Sequence, residues 1–239
     1  MFEDSFLGKI ESTSWSQLLY FDPSRLVTYY HNGSARDKGF ICGGSLVSRK
    51  IVVTAAHCIL EKDSLTRRKA EDATFYLGRY NLTLKFERYS LSSKVSELIL
   101  HPDWSSKGFR YDADVAIAVL FQTINLFNNY IQPICLPTEP SYNDMIDRKG
   151  QVAGWGLTHF DNASTTWPMF TTLKVVSESD CLGSDHRFYF PTSHRTFCAG
   201  DVIGGSGPCN GDSGGGFVLE KDSKWNLRGI ISNALKDSD

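Results

Sequence analysis

Short apolar or alternating runs, bounded by Gly, Asn, Asp and Ser, recur along the whole chain. Runs of this length are typical of β-strands, because alternate side chains of a strand point to opposite faces of its sheet. The predicted strands are FICGGSLV, KIVVTA, TFYLGRY, RYSLSSKVSELIL, DVAIAVL, GQVAGWG, TTLKVV, RTFCAG, and the closing pair GGFVLE and WNLRGIIS joined by KDSK. Helix is scarce: AAHCIL is expected to form one turn, and SESDCLGS begins with a serine suited to an N-cap. The pattern predicts an all-β protein, a sandwich or two small barrels.

Composition narrows the classes of partner. The 239 residues are 41% apolar and 22% charged, with a formal net charge of −2. This is the profile of a globular chain with one core or two closely packed ones. No basic excess favours nucleic acid, and no apolar run reaches the length of about 18 residues that a membrane-spanning helix needs. Neither nucleic acid nor a membrane is therefore an expected partner.

Other features favour a location outside the cell. Six cysteines and three acceptor sequons, which begin at Asn32, Asn81 and Asn162, fit an oxidising, glycosylating compartment. The N-terminal stretch MFEDSFLGKIESTSW has neither the basic start nor the apolar segment of a secretory signal. We therefore expect a secreted glycoprotein whose true start lies upstream of Met1, or a mature segment of one.

The segment GPCNGDSGGGFVLE places Ser213 among glycines, where it is a candidate nucleophile. A serine that attacks a carbonyl needs a base, a carboxylate that orients the base, and backbone donors for the oxyanion. The base is predicted to be His57, directly after an apolar strand, and the carboxylate to be Asp114, with Asp112 as the alternative. The nucleophile elbow of α/β-hydrolases requires a histidine after the serine. It is excluded because every histidine precedes Ser213: His31, His57, His101, His159, His186 and His194.

The order histidine, aspartate, serine and a series of motifs resemble the chymotrypsin-like serine proteases. The motifs are CGGSLVS, VVTAAHC, DADVAIAVL, IQPICLP, VAGWG, FCAG and CNGDSGGG, and they span about residues 12 to 234. The run from GDSGGGF to WNLRGIIS is most similar to secreted cascade proteases of arthropods. The resemblance implies one peptidase domain, 1–239, built from two packed six-stranded antiparallel β-barrels at about 1–136 and about 137–239.

The resemblance also implies a role for each candidate residue. Ser213 would be the nucleophile, His57 the proton shuttle and Asp114 the orienting acid, since Asp114 rather than Asp112 directly precedes the Val-Ala pair. The implied oxyanion donors are the amides of Gly211 and Ser213, and the implied substrate-binding residues are Gly207, Ser232 and Ala234. His101 lies where the family often has a structural histidine, and it is left out of the site.

The cysteines are assigned by the same resemblance. It implies a disulfide between Cys42 and Cys58, worth about 3 kcal/mol on a chain-entropy estimate, and another between Cys181 and Cys198. Two further cysteines, Cys135 and Cys209, are left over. Either they are buried thiols, or their usual partners lie outside this sequence.

The two ends depart from the family pattern. The chain stops after GIISNALKDSD, where the family continues, so the second barrel is expected to be incomplete, and Asn233 and Ala234 replace the usual Trp and Gly. No IVGG-like start is present, and Lys9-Ile10 lies too close to Trp15 to substitute for it. Asp212 would pair with the α-amino group of such a start, so it is expected to have no evident partner.

Two functions remain at this level. The first is a secreted cascade or digestive serine endopeptidase, which disfavours cleavage after Lys or Arg because Gly207 supplies no counter-charge in the pocket. Its expected partners are protein or peptide substrates, an upstream activating protease and serpin-type inhibitors. The alternative is a non-catalytic serine-protease homologue that acts as a regulatory or binding module. Neither a metal nor an organic cofactor is predicted, since the cysteine spacing lacks a zinc pattern.

Overall fold

Eleven β-strands and one short α-helix form the framework of the described chain. A computed structural model describes residues 26–32, 38–61, 66–104, 111–138, 141–157, 165–200 and 207–234. The strands are β1 (Leu26–Asn32), β2 (Lys38–Leu46), β3 (Ile51–Thr54), β4 (Ala73–Leu77), β5 (Leu91–Leu100), β6 (Ala116–Leu120), β7 (Lys149–Gly154), β8 (Met169–Val176), β9 (Cys198–Gly200), β10 (Gly216–Lys221) and β11 (Lys224–Ile230). Helix α1 spans Glu178–Ser184.

The strands form two antiparallel sheets that follow one another along the chain. The first closes into a six-stranded barrel in the order β1-β2-β3-β6-β5-β4. The second has five strands among the described residues, in the order β11-β10-β7-β8-β9. Since β10 and β11 pair through a tight hairpin, the two residues at its tip, Asp222 and Ser223, both adopt positive φ.

Alternation along the strands produces the core of each sheet. In β6, Ala116, Ala118 and Leu120 are buried, whereas Ile117 between them is exposed. The first-barrel core is built from such inward-facing residues, including Val27, Leu46, Val52, Phe75, Leu98 and Leu120. The second-sheet core includes Met145, Val152, Leu173, Val175, Phe217 and Leu219.

A separate apolar cluster joins the two sheets. Ile134, Trp155 and Leu227 are buried in it, and Val47 and Val53 of the first barrel pack against it. Polar contacts cross the same boundary: the amide of Ile134 donates to the carbonyl of Leu46 at 2.8 Å, and the indole N–H of Trp155 donates to the carbonyl of Tyr80 at 3.0 Å. The boundary is therefore packed and hydrogen-bonded.

The predicted all-β architecture is confirmed, and each predicted strand overlaps an observed one. The predicted helical turn is present as the 3₁₀ segment His57–Ile59. The predicted cap of α1 is also present, because the Ser177 side chain accepts a hydrogen bond from the Asp180 amide at 3.1 Å. Strand β1 is not among the predicted strands, although its sequence LVTYYHN is rich in residues that favour β-structure.

Candidate active site

The position of His57 is determined by the end of β3. Ala55 and Ala56 follow the strand and are fully buried, so the chain turns at once into the 3₁₀ segment that begins with His57. A disulfide between Cys58 and Cys42 ties this turn to β2. The backbone of His57 is thus held on both sides, and its side chain remains 29% exposed.

Asp114 contacts both the backbone and the ring of His57. Its Oδ1 accepts from the His57 amide at 2.9 Å, and its Oδ2 lies 2.7 Å from Nδ1 of the ring. A carboxylate only accepts hydrogen bonds, so Nδ1 carries a proton and Nε2 of the neutral ring is left as an acceptor. The side chain of Asp114 is 1% exposed. The arrangement orients the imidazole with its basic nitrogen away from the acid.

Ser232 provides a further hydrogen bond to the same carboxylate. Its hydroxyl donates to Oδ2 of Asp114 at 2.5 Å. The sequence places Ser232 only among the substrate-binding candidates, so this contact adds a role. Ser232 lies directly after Ile231, whose amide donates to the carbonyl of Gly215 at 2.8 Å. The end of β11 therefore connects Asp114 with the loop that carries Ser213.

The loop around Ser213 is attached to the first barrel through its backbone. The amide of Gly43 donates to the Ser213 carbonyl at 2.8 Å, and Gly43 is the neighbour of Cys42. Gly214 has a φ of +79°, and a Cβ there would lie 2.3 Å from Oγ1 of Thr54 and 2.5 Å from the carbonyl oxygen of Gly43. Glycine is required at 214 because the backbones of the two barrels approach so closely.

The Ser213 hydroxyl itself makes no hydrogen bond to His57 or to any other residue within the described ranges. Sγ of Cys58 lies 3.8 Å from Nε2 of His57. The structure therefore joins His57 and Asp114 directly and brings in Ser213 through backbone contacts alone.

The two predicted oxyanion donors are unengaged. The amides of Gly211 and Ser213 donate to no residue in the part of the chain that the structure describes. Gly211 has a φ of +101°, a conformation that L residues with a side chain rarely adopt.

Asp212 has two hydrogen-bond partners that the sequence did not predict. Its carboxylate accepts from the Gly156 amide at 2.8 Å and from the Cys209 amide at 2.9 Å. Both donors belong to the backbone, which is why residue types alone did not reveal them. Burial raises the pKa of Asp212 from 3.8 to about 6, against the lowering effect of the two amides. Among the described residues, no positively charged group lowers the pKa of Asp212.

A cavity of about 530 Å³ adjoins this site. Asp114 and Ser232 lie on its wall, together with the predicted substrate-binding residues Gly207 and Ala234. Most of its remaining lining is apolar side chain or backbone, including Val152, Leu173, Phe197 and Phe217. The cavity thus extends from Asp114 into the interior of the second sheet.

These features match one family of known proteins. The family model described as Trypsin matches residues 23–239. The chain belongs to the trypsin family of serine proteases. The curated relatives it resembles include the serine protease gd of Drosophila melanogaster, 31% identical over 87% of this chain and 42% of the relative.

Two further relatives are similar to most of this chain. The venom serine protease Bi-VSP of Bombus ignitus is 32% identical over 87% of this chain and 56% of its own length. Coagulation factor IX of Cavia porcellus is 32% identical over 80% of this chain and 63% of its own length. The chain spans about half the length of the curated relatives it matches. The resemblance to chymotrypsin-like proteases is therefore confirmed at the level of the family.

The other cysteines of this trypsin-family chain are arranged as follows. Cys181 of α1 is bonded to Cys198 of β9. Cys135 is partly buried and Cys209 is exposed, and both are free. The alternative that both are buried thiols is therefore wrong for Cys209. Among the described residues, one group of metal-type donors is clustered, Cys42, His57 and Cys58, but both of its sulfurs are used in the disulfide.

The asparagine of the acceptor sequon at Asn81 is buried in a turn. Asn81 is 7% exposed, and its Oδ1 accepts from the Thr83 amide at 2.8 Å and from the Thr83 hydroxyl at 2.7 Å. This packing leaves a folded chain little access for a glycan at Asn81. The side chain of Asn32 and the whole of Asn162 lie outside what the structure describes. The described helices include none with the length and apolar character to cross a membrane.

Proposed function

We propose that the chain is a serine endopeptidase in which His57, Asp114 and Ser213 form the catalytic triad. The observation that carries the proposal is the 2.7 Å contact between Nδ1 of His57 and Oδ2 of Asp114. An imidazole held in this way presents Nε2 as a base. The segment that contains Ser213 is hydrogen-bonded to β2, the strand that the Cys42–Cys58 disulfide links to the turn of His57.

The chemistry follows from these positions. Nε2 of His57 takes the proton of the Ser213 hydroxyl as its oxygen attacks the carbonyl carbon of the substrate. Asp114 stabilises the imidazolium that forms, and the amides of Gly211 and Ser213 stabilise the oxyanion. The imidazolium then donates its proton to the leaving amine, which breaks the peptide bond and leaves an acyl-enzyme. Water, deprotonated by His57, hydrolyses that ester and regenerates the serine.

Asp212 supports a need for activation. Its carboxylate is buried beside the oxyanion segment without a counter-charge in the described ranges. A buried carboxylate is strongly stabilised by an opposite charge. The family resemblance supplies one, an α-amino group released by cleavage, and an upstream activating protease is thus a proposed partner.

Gly207 supports a preference for uncharged residues at the cleavage site. It lies on the cavity wall and contributes no carboxylate to a basic side chain. The cavity is lined mainly by apolar groups, which favour apolar side chains of protein or peptide substrates. Cleavage after Lys or Arg is therefore disfavoured.

The proposed setting is extracellular. Two disulfides are stable where thiols are oxidised, and the names of the relatives include a coagulation factor and a venom protease. We assign the chain to a secreted cascade or digestive protease, and serpin-type inhibitors are proposed partners with the same basis.

One observation favours a second candidate, a non-catalytic homologue that binds or regulates other proteases. The Ser213 hydroxyl makes no hydrogen bond to His57, although both residues are described. A scaffold that serves only as a binding module does not need that bond, whereas the His57–Asp114 pair and the unengaged amides favour the enzyme.

Hydrolysis of internally quenched peptides separates the two candidates. The full-length secreted protein, activated by limited proteolysis, is expected to cleave peptides with apolar residues before the scissile bond, and Ser213→Ala is expected to abolish this cleavage. Preferential cleavage after arginine would contradict the specificity. Equal hydrolysis by the wild type and Ser213→Ala would contradict the mechanism, and a folded, activated protein without hydrolysis of any peptide would favour the binding module.

A further inference from the structure

The catalytic acid candidate is preceded by a residue in a costly backbone conformation. Ala113 has a φ of +54° and is 6% exposed. Residues with a Cβ rarely adopt this left-handed region, and it persists only where the surroundings enforce it. Asp112 and Asp114 flank Ala113, so a movement of Asp112 is transmitted to Asp114 through one constrained residue.

Asp112 is held from the other barrel as well as by the neighbouring Ala113 amide. The Ser193 hydroxyl donates to Oδ1 of Asp112 at 2.7 Å, although the two residues are 81 positions apart. Nη1 of Arg195 lies 3.7 Å from Oδ2 of Asp112 and 2.7 Å from Oδ2 of Asp103. We call these four residues, Ser193, Arg195, Asp103 and Asp112, the interbarrel clamp.

The part of the interbarrel clamp that belongs to the second barrel is held by hydrogen bonds within its own turn. The Ser193 amide donates to Oγ1 of Thr196 at 2.7 Å, and the Thr196 hydroxyl donates to the Ser193 carbonyl at 2.9 Å. The disulfide of Cys198 lies two residues beyond this turn. The turn is therefore a firm support against which Asp112 can be positioned.

We propose that Ser193 and Arg195 are positioning residues that set the place of Asp114, and so the orientation of His57, by holding Asp112 across the barrel boundary. This inference rests on the proposed function, since it concerns the triad. Asp112, the alternative candidate for the catalytic acid, thereby has a role of its own. It makes no hydrogen bond to His57, but it anchors Asp114, which does.

The exposure of the clamp makes its effect separable from folding. The side chains of Arg195 and Asp112 are 35% and 30% exposed, and that of Asp103 is 54% exposed. Ion pairs at this exposure contribute little to global stability. Loss of the clamp should accordingly change the geometry of the site and leave the fold intact.

The test compares Ser193→Ala, Asp112→Ala and Asp112→Asn in the activated full-length protein. The matched control is Lys174→Ala, which removes an exposed ion pair of 3.1 Å to Asp147 on the same barrel, and neither of those residues lines the cavity. Two quantities are measured: the low-field proton resonance of the His57 Nδ1–H, by NMR, and kcat and KM on a peptide substrate.

Ser193→Ala and Asp112→Ala are each expected to shift or broaden the His57 resonance. They should also lower kcat about tenfold with a smaller change in KM, because Asp114 is displaced, whereas neither Ser193 nor Asp112 lines the cavity. A variant that combines Ser193→Ala with Asp112→Ala should lose no more than Asp112→Ala alone, since that substitution already removes the contact with Ser193. Asp112→Asn should recover part of kcat because its carbonyl oxygen still accepts from Ser193, and Lys174→Ala should match the wild type.

The clamp and the proposed function fail in different ways. An unchanged resonance and an unchanged kcat in both alanine variants would overturn the clamp while leaving the enzyme intact. A wild type that hydrolyses no peptide, with a resonance that nevertheless shifts in both alanine variants, would uphold the clamp and overturn the proposed catalysis.

Discussion

The carboxylate of Asp212 accepts a hydrogen bond from the amide of Gly156, 56 positions earlier in the chain, at 2.8 Å. Gly156 and Gly154 both border the carboxylate closely: a Cβ at Gly156 would lie 2.4 Å from Oδ2, and one at Gly154 would lie 2.2 Å from Oδ1. The two glycines around Trp155 therefore make room for a buried acid next to the nucleophile. This contact therefore bears on the stability of the chain, on the pH dependence of that stability, and on the proposed activation.

Asp212 should make stability fall as pH rises. Its pKa is about 6 in the folded chain against 3.8 as the ordinary value, so the folded state keeps a proton that the unfolded state has already lost. Its contribution is fully present below about pH 4 and is lost as the pH rises through about 6, by roughly 2 to 3 kcal/mol. We predict that Asp212→Asn gains stability relative to the wild type between pH 4 and pH 7, measured by chemical denaturation.

The control for this prediction is Asp185→Asn. The Arg187 guanidinium lowers the pKa of Asp185 to about 2, so its contribution is present above about pH 4 and is lost as the pH falls. Its difference from the wild type should stay flat between pH 5 and pH 8. A flat difference for Asp212→Asn over pH 4 to 7 would show that the buried carboxylate carries no such penalty.

Gly156→Ala should destabilise the fold by about 1 to 3 kcal/mol, because the added Cβ meets the Asp212 carboxylate at 2.4 to 2.6 Å and Asp212 is buried. Thermal unfolding measures the effect. Gly183→Ala is the matched control: nothing lies within 4 Å of a Cβ there, and Gly183 is in α1, so alanine should be neutral or stabilising by up to about 1 kcal/mol. Equal midpoints for the two variants would mean that the contact at Gly156 is not tight.

Ser232→Ala should lower kcat about tenfold, with a smaller change in KM. The substitution removes the hydroxyl that donates to Oδ2 of Asp114, and a hydrogen bond to a charged group is worth about 1.5 kcal/mol or more. Ser96→Ala is the control, since Ser96 lies on an exposed part of β5 and its hydroxyl donates to the carbonyl of Val119 in β6. The measurement is steady-state kinetics on one peptide. A wild-type kcat in Ser232→Ala would contradict a role for Ser232 in positioning Asp114 and would leave it only as part of the cavity wall.

Gly207→Asp should shift cleavage towards arginine and lysine. Apart from its neighbours in the chain, no described residue has a heavy atom within 4 Å of a Cβ at Gly207, so there is room for a carboxylate on the cavity wall. An opposite charge in a partly desolvated pocket favours a basic side chain. The ratio of kcat/KM for arginine and leucine substrates is the measurement, with Gly207→Asn as the uncharged control of similar size. An unchanged ratio would place the specificity pocket elsewhere.

The sequence was a sufficient guide where function depends on local pattern. Alternation in DVAIAVL predicts β6, and the glycines around Ser213 mark a loop whose Gly214 proves to need its positive φ. Both features depend on residues that are adjacent in the sequence, because strand pleating and turn sterics are local.

Contacts between segments that are far apart in the sequence could not be predicted from local patterns. The donors to Asp212 are amides of Gly156 and Cys209, and every residue except proline carries such a group. The Ser193–Asp112 contact joins segments whose proximity depends on how the two barrels pack. The bond from Ser232 to Asp114 likewise depends on β11 ending next to β6, which strand patterns do not specify.

The most direct test of the triad is the rate at which a fluorophosphonate modifies the activated full-length protein, followed by intact-mass and peptide-mapping mass spectrometry. Stoichiometric modification at Ser213 is predicted, absent in Ser213→Ala and slowed by at least about a hundredfold in His57→Ala, since the serine is a weak nucleophile without its base. No modification of the folded wild type, or an equal rate in His57→Ala, would contradict the assignment of His57 as the base that activates Ser213.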